Sequence, residues 1–248
     1  MEYIAHRGAS AYAPENTLDA FELALSMGMS SLELDVQLSA DGELVVHHDL
    51  DLKRTAGADV KIADCGYAGL LRYDVAAHFP GAKKPQRIPT LAQVLELVGG
   101  RGFVNVEIKN DCGIYTGIEH KLLEVLRTCG NGWPRRAAVS SFYHPSLETV
   151  RRLDPEMKIG VLASSSVSIG DAVALAVRLR AESVNINARR FTPEAARAAH
   201  SRGLKMLLYT VNDRRRAREL ESMGADGIFT NTPDICQDGW DKTGGTDD

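Results

Sequence analysis

The sequence has no excess of positive charge, and that absence removes one large class of function. Its 29 Lys+Arg face 33 Asp+Glu, a formal net charge of −4, whereas nucleic-acid binders grip phosphate backbones with a clustered surplus of Lys and Arg. No nucleic-acid partner is expected. No apolar run approaches the roughly 18 residues of a membrane span, so no stable membrane insertion is expected either. Cysteine is scarce: Cys65, Cys112, Cys129 and Cys236 stand far apart, with no C-x-x-C pair, and read as reduced thiols. The P-loop, the dinucleotide fingerprint, the G-x-S-x-G elbow and the zinc signatures are all missing. So is a basic segment followed by an apolar one at the N-terminus, which makes a cytoplasmic location the expectation. What remains is a globular chain, 44% hydrophobic and 25% charged over 248 residues, long enough to bury a core without staples.

Strand-like and helix-like patterns alternate along it. The strands read as Glu2–His6, Leu32–Leu38, Phe103–Lys109, Ala138–Phe142, Lys158–Ala163, Ser183–Asn187, Lys205–Val211 and Gly227–Thr230, with helical spacing of apolar residues between them. Thr192-Pro193 opens one helix with a capping hydroxyl and a proline, and Gly203 and Gly224 stand where helices should stop. Eight strands with intervening helices predict parallel βαβ units closed into a (β/α)₈ TIM barrel, with a doubly wound open sheet as the competing architecture. One catalytic domain is expected over residues 1–235. It carries an insertion at about 44–87, where an extra strand-like run, Leu44–His48, opens a long Gly- and Pro-containing excursion. Residues 236–248 read as a polar, frayed tail.

The second strand alternates Leu32, Leu34, Val36 and Leu38 with Glu33, Asp35 and Gln37. Successive side chains point to opposite faces, so the acids share the inward face of a barrel. Two such carboxylates about 7 Å apart repel and cost desolvation unless a cation joins them. The third strand adds Glu107 and Lys109 on the same kind of face. Three acids suit a hard dication, Mg²⁺ or Ca²⁺; buried ion pairs with Lys109 or an arginine are the alternative. His6-Arg7 ends the first strand, at the rim where barrels keep their chemistry. His47-His48-Asp49 ends the extra strand, and His48 is the better placed of that pair. Two histidines beside an acidic site suggest proton transfer, while Arg7 can fork onto a phosphate and Lys109 can act as a point charge. Tyr209 either stacks on a substrate or fills the barrel mouth. Asn16 or Thr17 caps the first helix, Asn185 and Asn187 are substrate contacts or interior polar groups, and Arg214-Arg215-Arg216 is solvated surface.

These residues, in order, resemble the glycerophosphodiester phosphodiesterase family. The match is carried by His6-Arg7-Gly8, Pro14-Glu15-Asn16-Thr17, Glu33-Leu34-Asp35-Val36, Val45-Val46-His47-His48-Asp49, Arg54-Thr55 and Glu107-Ile108-Lys109, and continues to Gly224-Ala225-Asp226-Gly227-Ile228. The resemblance implies a (β/α)₈ barrel with an insertion after strand two. It also implies divalent-cation-assisted hydrolysis of a small glycerophosphodiester to sn-glycerol 3-phosphate and an alcohol. By motif, Glu33, Asp35 and Glu107 resemble the metal ligands, His6 and His48 the acid/base pair, Arg7 and Lys109 the phosphate contacts, and Glu15 a ligand or orienting group near the metal. The nucleophile is either the glycerol 2-hydroxyl or water. Tyr209 and Asn231 depart from the family's pattern, which often has Trp and Asp there. A lysophospholipase-D-like or cyclising phospholipase, with Leu70-Leu71 and Phe79 facing lipid, and a non-catalytic phosphate-binding barrel are the other readings. No oligomeric state is read from the sequence.

Overall fold

The structure, a computed structural model, describes residues 1–236; the tail expected beyond Cys236 lies outside the described residues. Among the described residues, nine strands form one sheet: β1 (Glu2–His6), β2 (Ser31–Leu38), β3 (Leu44–Val46), β4 (Phe103–Ile108), β5 (Ala137–Ser141), β6 (Lys158–Ala163), β7 (Ser183–Asn187), β8 (Lys205–Tyr209) and β9 (Gly227–Thr230). All but β3 run parallel, and β1 pairs with both β2 and β9. That double pairing closes the barrel and rules out the open sheet.

The strands are buried on both sides, as a barrel wall between core and helices must be. On β2, Leu32, Leu34 and Val36 are fully buried toward the helices while Glu33 and Asp35, equally inaccessible, take the other parity. The outer layer is helical. Helix Leu18–Ser26 buries Ala20, Phe21 and Ala24 and is capped by Thr17, whose hydroxyl accepts from Ala20 N at 3.2 Å. Helix Leu91–Val98 begins with a capping box, Thr90 and Gln93 satisfying each other's backbone N–H. Helix Pro193–His200 opens as expected, with Thr192 accepting from Ala195 N. No helix among the described residues is long and apolar enough to cross a membrane.

β3 explains how the insertion meets the barrel. β1 stops at His6, bonded to β2 only through Ala5↔Leu32 and His6↔Glu33. The longer β2 overhangs, and β3 pairs antiparallel with the overhang through Val36↔Val46, Gln37↔Val45 and Leu38↔Leu44. Arg7 N donates to Glu33 O and His47 N to Asp35 O, both at 3.0 Å. These carbonyls alternate along β2, so β3 continues the edge that β1 vacates. The expected strand Leu44–His48 is thus two residues shorter, because His47 and His48 turn off to rejoin the barrel mouth. The rest of the insertion is built, not slack: Val45, Leu52, Ile62, Leu70, Val75 and Ile88 form their own apolar cluster. Leu70 is wholly buried there, leaving Leu71 exposed and Phe79 half-buried.

Candidate active site

Four segments converge on the C-terminal mouth of the barrel. Strand register sets the levels: His6 lies beside Glu33, and Asp35 beside Glu107. Lys109 follows β4, its N–H bonded to Val36 O at 3.0 Å. After β1 the chain turns sharply, with Arg7 at φ 57° and Gly8 at φ 79°. An arginine held in the left-handed region is strained by about 1–3 kcal/mol, which is tolerated where function needs the geometry. Gly8 cannot carry a side chain, since a Cβ would lie 2.6 Å from the carbonyl carbon of Ala20. Gly8→Ala should therefore cost about 2 kcal/mol or more, measured by urea denaturation; an unchanged midpoint would show that the turn adapts.

The three acids form one cluster. Glu33, Asp35 and Glu107 each offer a carboxylate oxygen, all within 4.8 Å of one another. Lys109 Nζ lies 2.8 Å from Glu107 Oε1 and 3.9 Å from Asp35 Oδ1, and Arg7 Nε lies 3.2 Å from Asp35 Oδ2. Asn16 Nδ2 donates to the same Oδ2 at 2.8 Å. Asp35 thus receives most of the positive charge: burial opposes its ionisation, but Arg7 and Lys109 outweigh burial and hold its pKa at about 2. Its neighbours do not share that benefit. Burial, then the charge of Asp35, drives Glu33 well above the ordinary carboxylate range and Glu107 to about 7. Glu33 Oε1 and Asp35 Oδ1 are buried without a hydrogen-bond partner. Arg7 and Lys109 balance two of three carboxylates, which leaves these two oxygens as donors for a hard cation. The residues fit a divalent metal with oxygen ligands. The ion pairs weighed as an alternative are also present, beside this donor set rather than instead of it.

The two histidines differ in their supports. His6 Nδ1 bonds to Asn231 Oδ1 at 2.7 Å, which with the amide oxygen as acceptor leaves Nε2 toward Glu33, 4.0 Å away. Burial, reinforced by Arg7, lowers the His6 pKa to about 4. His48 Nδ1 lies 2.7 Å from Asp49 Oδ1; a carboxylate only accepts, so Nδ1 carries the proton and Nε2 is left for chemistry. Burial lowers the His48 pKa as well, with Asp35 opposing. His47, by contrast, spends both nitrogens, on Asp49 O at 2.8 Å and Thr55 Oγ1 at 3.0 Å. Gln37 Nε2 donates to the carbonyls of His47 and Asp49, fixing the loop that aims His48.

His6, Arg7, Glu33, His48, Glu107, Lys109 and Tyr209 all line one cavity of about 150 Å³, with Asp35 behind them. Phe142, Leu162 and Phe229 complete the wall. Tyr209 meets Phe142 edge-on at 5.9 Å and donates its hydroxyl to Ala163 O, so it is a fixed part of that wall. A larger groove of about 430 Å³ between Pro14, Leu23 and Phe79–Gln86 holds none of these groups. Asn187 is exposed, accepting from Arg189 N, and Asn185 is buried in the barrel interior beside Ser183; neither lines the cavity. Glu15 lies outside the acidic trio, between Arg7 and Arg54 at 3.0 and 2.6 Å, a placement that suits orientation rather than ligation. The sequence reading missed Asn16 as a partner of Asp35, Asn231 as the partner of His6, and any part for Arg54 and Phe142. For Asn16 the signal was present in its motif, but Thr17 does the capping and frees it.

Known proteins share this architecture. The model of the glycerophosphoryl diester phosphodiesterase family matches residues 6–235. A glycerophosphodiester phosphodiesterase of Caldanaerobacter subterraneus subsp. tengcongensis is 35% identical over 232 residues, 93% of this chain and 94% of that protein. A putative glycerophosphoryl diester phosphodiesterase from Silicibacter pomeroyi superposes with a TM-score of 0.84 at 27% identity, covering 96% of this chain and 92% of that one. An Oleispira antarctica phosphodiesterase in complex with the product sn-glycerol-3-phosphate gives a TM-score of 0.82 at 30% identity, covering 94% of each chain. With the family's model matching residues 6–235 and a relative 35% identical across 93% of this sequence, the chain belongs to the glycerophosphoryl diester phosphodiesterase family.

Proposed function

We propose that the protein hydrolyses small glycerophosphodiesters to sn-glycerol 3-phosphate and an alcohol, with residues 1–235 as one catalytic unit. The observation that carries this reading is the convergence, on a single cavity, of two histidines with free Nε2 atoms and an acidic cluster short of positive charge. The product bound to the Oleispira relative supports it. Glu33, Asp35 and Glu107 would hold one divalent cation, Mg²⁺ or Ca²⁺. Bound there, the cation supplies charge that stabilises negative charge growing on the phosphate oxygens.

The chain's own residues do the rest. Arg7 and Lys109 grip the phosphate from two sides, and Tyr209 walls the substrate beside Phe142. His6, whose partner is a neutral amide, is suited to take the proton of the nucleophile, either water directly or the glycerol 2-hydroxyl, whose cyclic phosphate product a water then opens. His48, backed by the Asp49 carboxylate, is suited to deliver one to the departing alkoxide. Of the three residues that would face lipid, Leu70 is buried in the insertion's own core, which leaves Leu71 and half-buried Phe79 as a small apolar face for the lysolipid reading. Paired proton-transfer groups have no use in a barrel that only binds phosphate.

The test is an enzyme-coupled assay for sn-glycerol 3-phosphate released from glycerophosphocholine, glycerophosphoethanolamine and glycerophosphoinositol, with divalent metal present. Release from at least one is expected. Release of the phosphorylated alcohol instead, or turnover of lysolipids alone, would overturn the reading.

A further inference from the structure

Arg54, on the short helix Lys53–Ala56 of the insertion, is bonded to two carboxylates at the mouth of the site although the proposed chemistry does not use it. Its Nε donates to Asp49 Oδ2 at 2.6 Å, its Nη1 to Glu15 Oε2 at 3.0 Å and its Nη2 to Glu15 Oε1 at 2.6 Å. Both acceptors have their other hand on the site. Asp49 Oδ1 holds His48 Nδ1 at 2.7 Å, and Glu15 Oε1 holds Arg7 Nη1 at 3.0 Å. A guanidinium 43% exposed usually contributes little through an ion pair. This one is bidentate on one carboxylate and bonded to a second, a geometry that fixes direction as well as charge. Without it, Glu15 and Asp49 are two anions facing each other across the mouth.

We propose that Arg54 is a positioning residue that couples the insertion to the barrel, setting the rotamer of Asp49, and so the direction of His48, in the same act that sets Glu15 and Arg7. The inference rests on the reading that His48 and Arg7 act in phosphodiester hydrolysis. A lysine cannot reproduce the fork, because its single ammonium reaches one carboxylate at a time.

The experiment measures kcat and KM on glycerophosphocholine for Arg54→Ala, Arg54→Lys, His48→Ala and the double variant Arg54→Ala/His48→Ala. Added guanidinium ion serves as the probe, and circular dichroism verifies the fold. Arg54→Ala should lose about 10- to 100-fold in kcat, the range found for groups that orient a functional side chain. Arg54→Lys should recover only part of it. Guanidinium should raise turnover of Arg54→Ala and not of the parent enzyme. In the His48→Ala background the same substitution should cost clearly less, since one of its two targets is already gone. Near-parental turnover of Arg54→Ala, no rescue by guanidinium, or an undiminished loss in the His48→Ala background would each overturn the proposal. Full turnover in His48→Ala alone would instead sink the reading beneath it, while the Arg54→Ala loss and its rescue still report on Arg54.

Discussion

Asp35→Asn should reduce kcat by about 10²- to 10³-fold, the scale on which one preorganised charge acts at a reacting centre. Chelation of the parent enzyme should take turnover to background, restored by Mg²⁺ or Ca²⁺. Asp35 is the pivot of the cluster: fully buried, held at a pKa of about 2 by Arg7 and Lys109 against burial, and bonded by Asn16. The amide is nearly the same shape, so packing survives, but a ligand charge is lost and Arg7 and Lys109 face one anion fewer. Calorimetric titration should find metal affinity lowered in Asp35→Asn. Full activity of the parent enzyme in excess EDTA would contradict the metal site, and undiminished affinity in the variant would remove Asp35 from it.

His6→Ala and His48→Ala should each lower kcat by about 10²-fold or more, with metal affinity retained, because proton transfer by a positioned imidazole contributes on that order. The two losses should differ in kind. For a substrate whose alcohol has a low pKa, such as a p-nitrophenyl diester, the leaving group needs no proton. His48→Ala should then be far less damaging than on glycerophosphocholine, while His6→Ala stays severe. Equal losses on both substrates in both variants would refute the division of roles, and near-parental turnover in either would remove that histidine from the chemistry.

Much of this architecture was legible in the sequence because it is local. Alternation along β2 placed Glu33 and Asp35 on the interior side, and the same period in β4 supplied Glu107. That neighbours on an extended chain face opposite ways allowed one of His47 and His48 to face the site, and the adjacent Asp49 favoured His48; in the structure His48 lines the cavity and His47 bonds to Thr55. Long-range partners were not legible. Asn231 meets His6 from 225 residues away and Arg54 meets Glu15 across 39, and no periodicity encodes such meetings. Glu15 could be placed near the site but not assigned between ligation and orientation until Arg54 was seen to occupy both its oxygens. The end of β3 was misjudged for a related reason: Leu44–His48 looks uniformly strand-like, but past Asp35 the edge of β2 is already taken by His6 and Arg7, so the chain turns away at His47.

The barrel divides its labour by halves. Every charged group of the proposed site comes from β1 to β4 and their loops, between His6 and Lys109, while Ser140, Phe142, Leu162, Tyr209 and Phe229 arrive from the later strands as uncharged wall. In the proposed site the charged groups and most of the uncharged wall therefore lie in separate stretches of chain, Asn231, which holds His6, being the exception. Substitutions after residue 137, Asn231 apart, are expected to remodel which alcohol the mouth admits while leaving the proposed ion pairs and proton carriers intact.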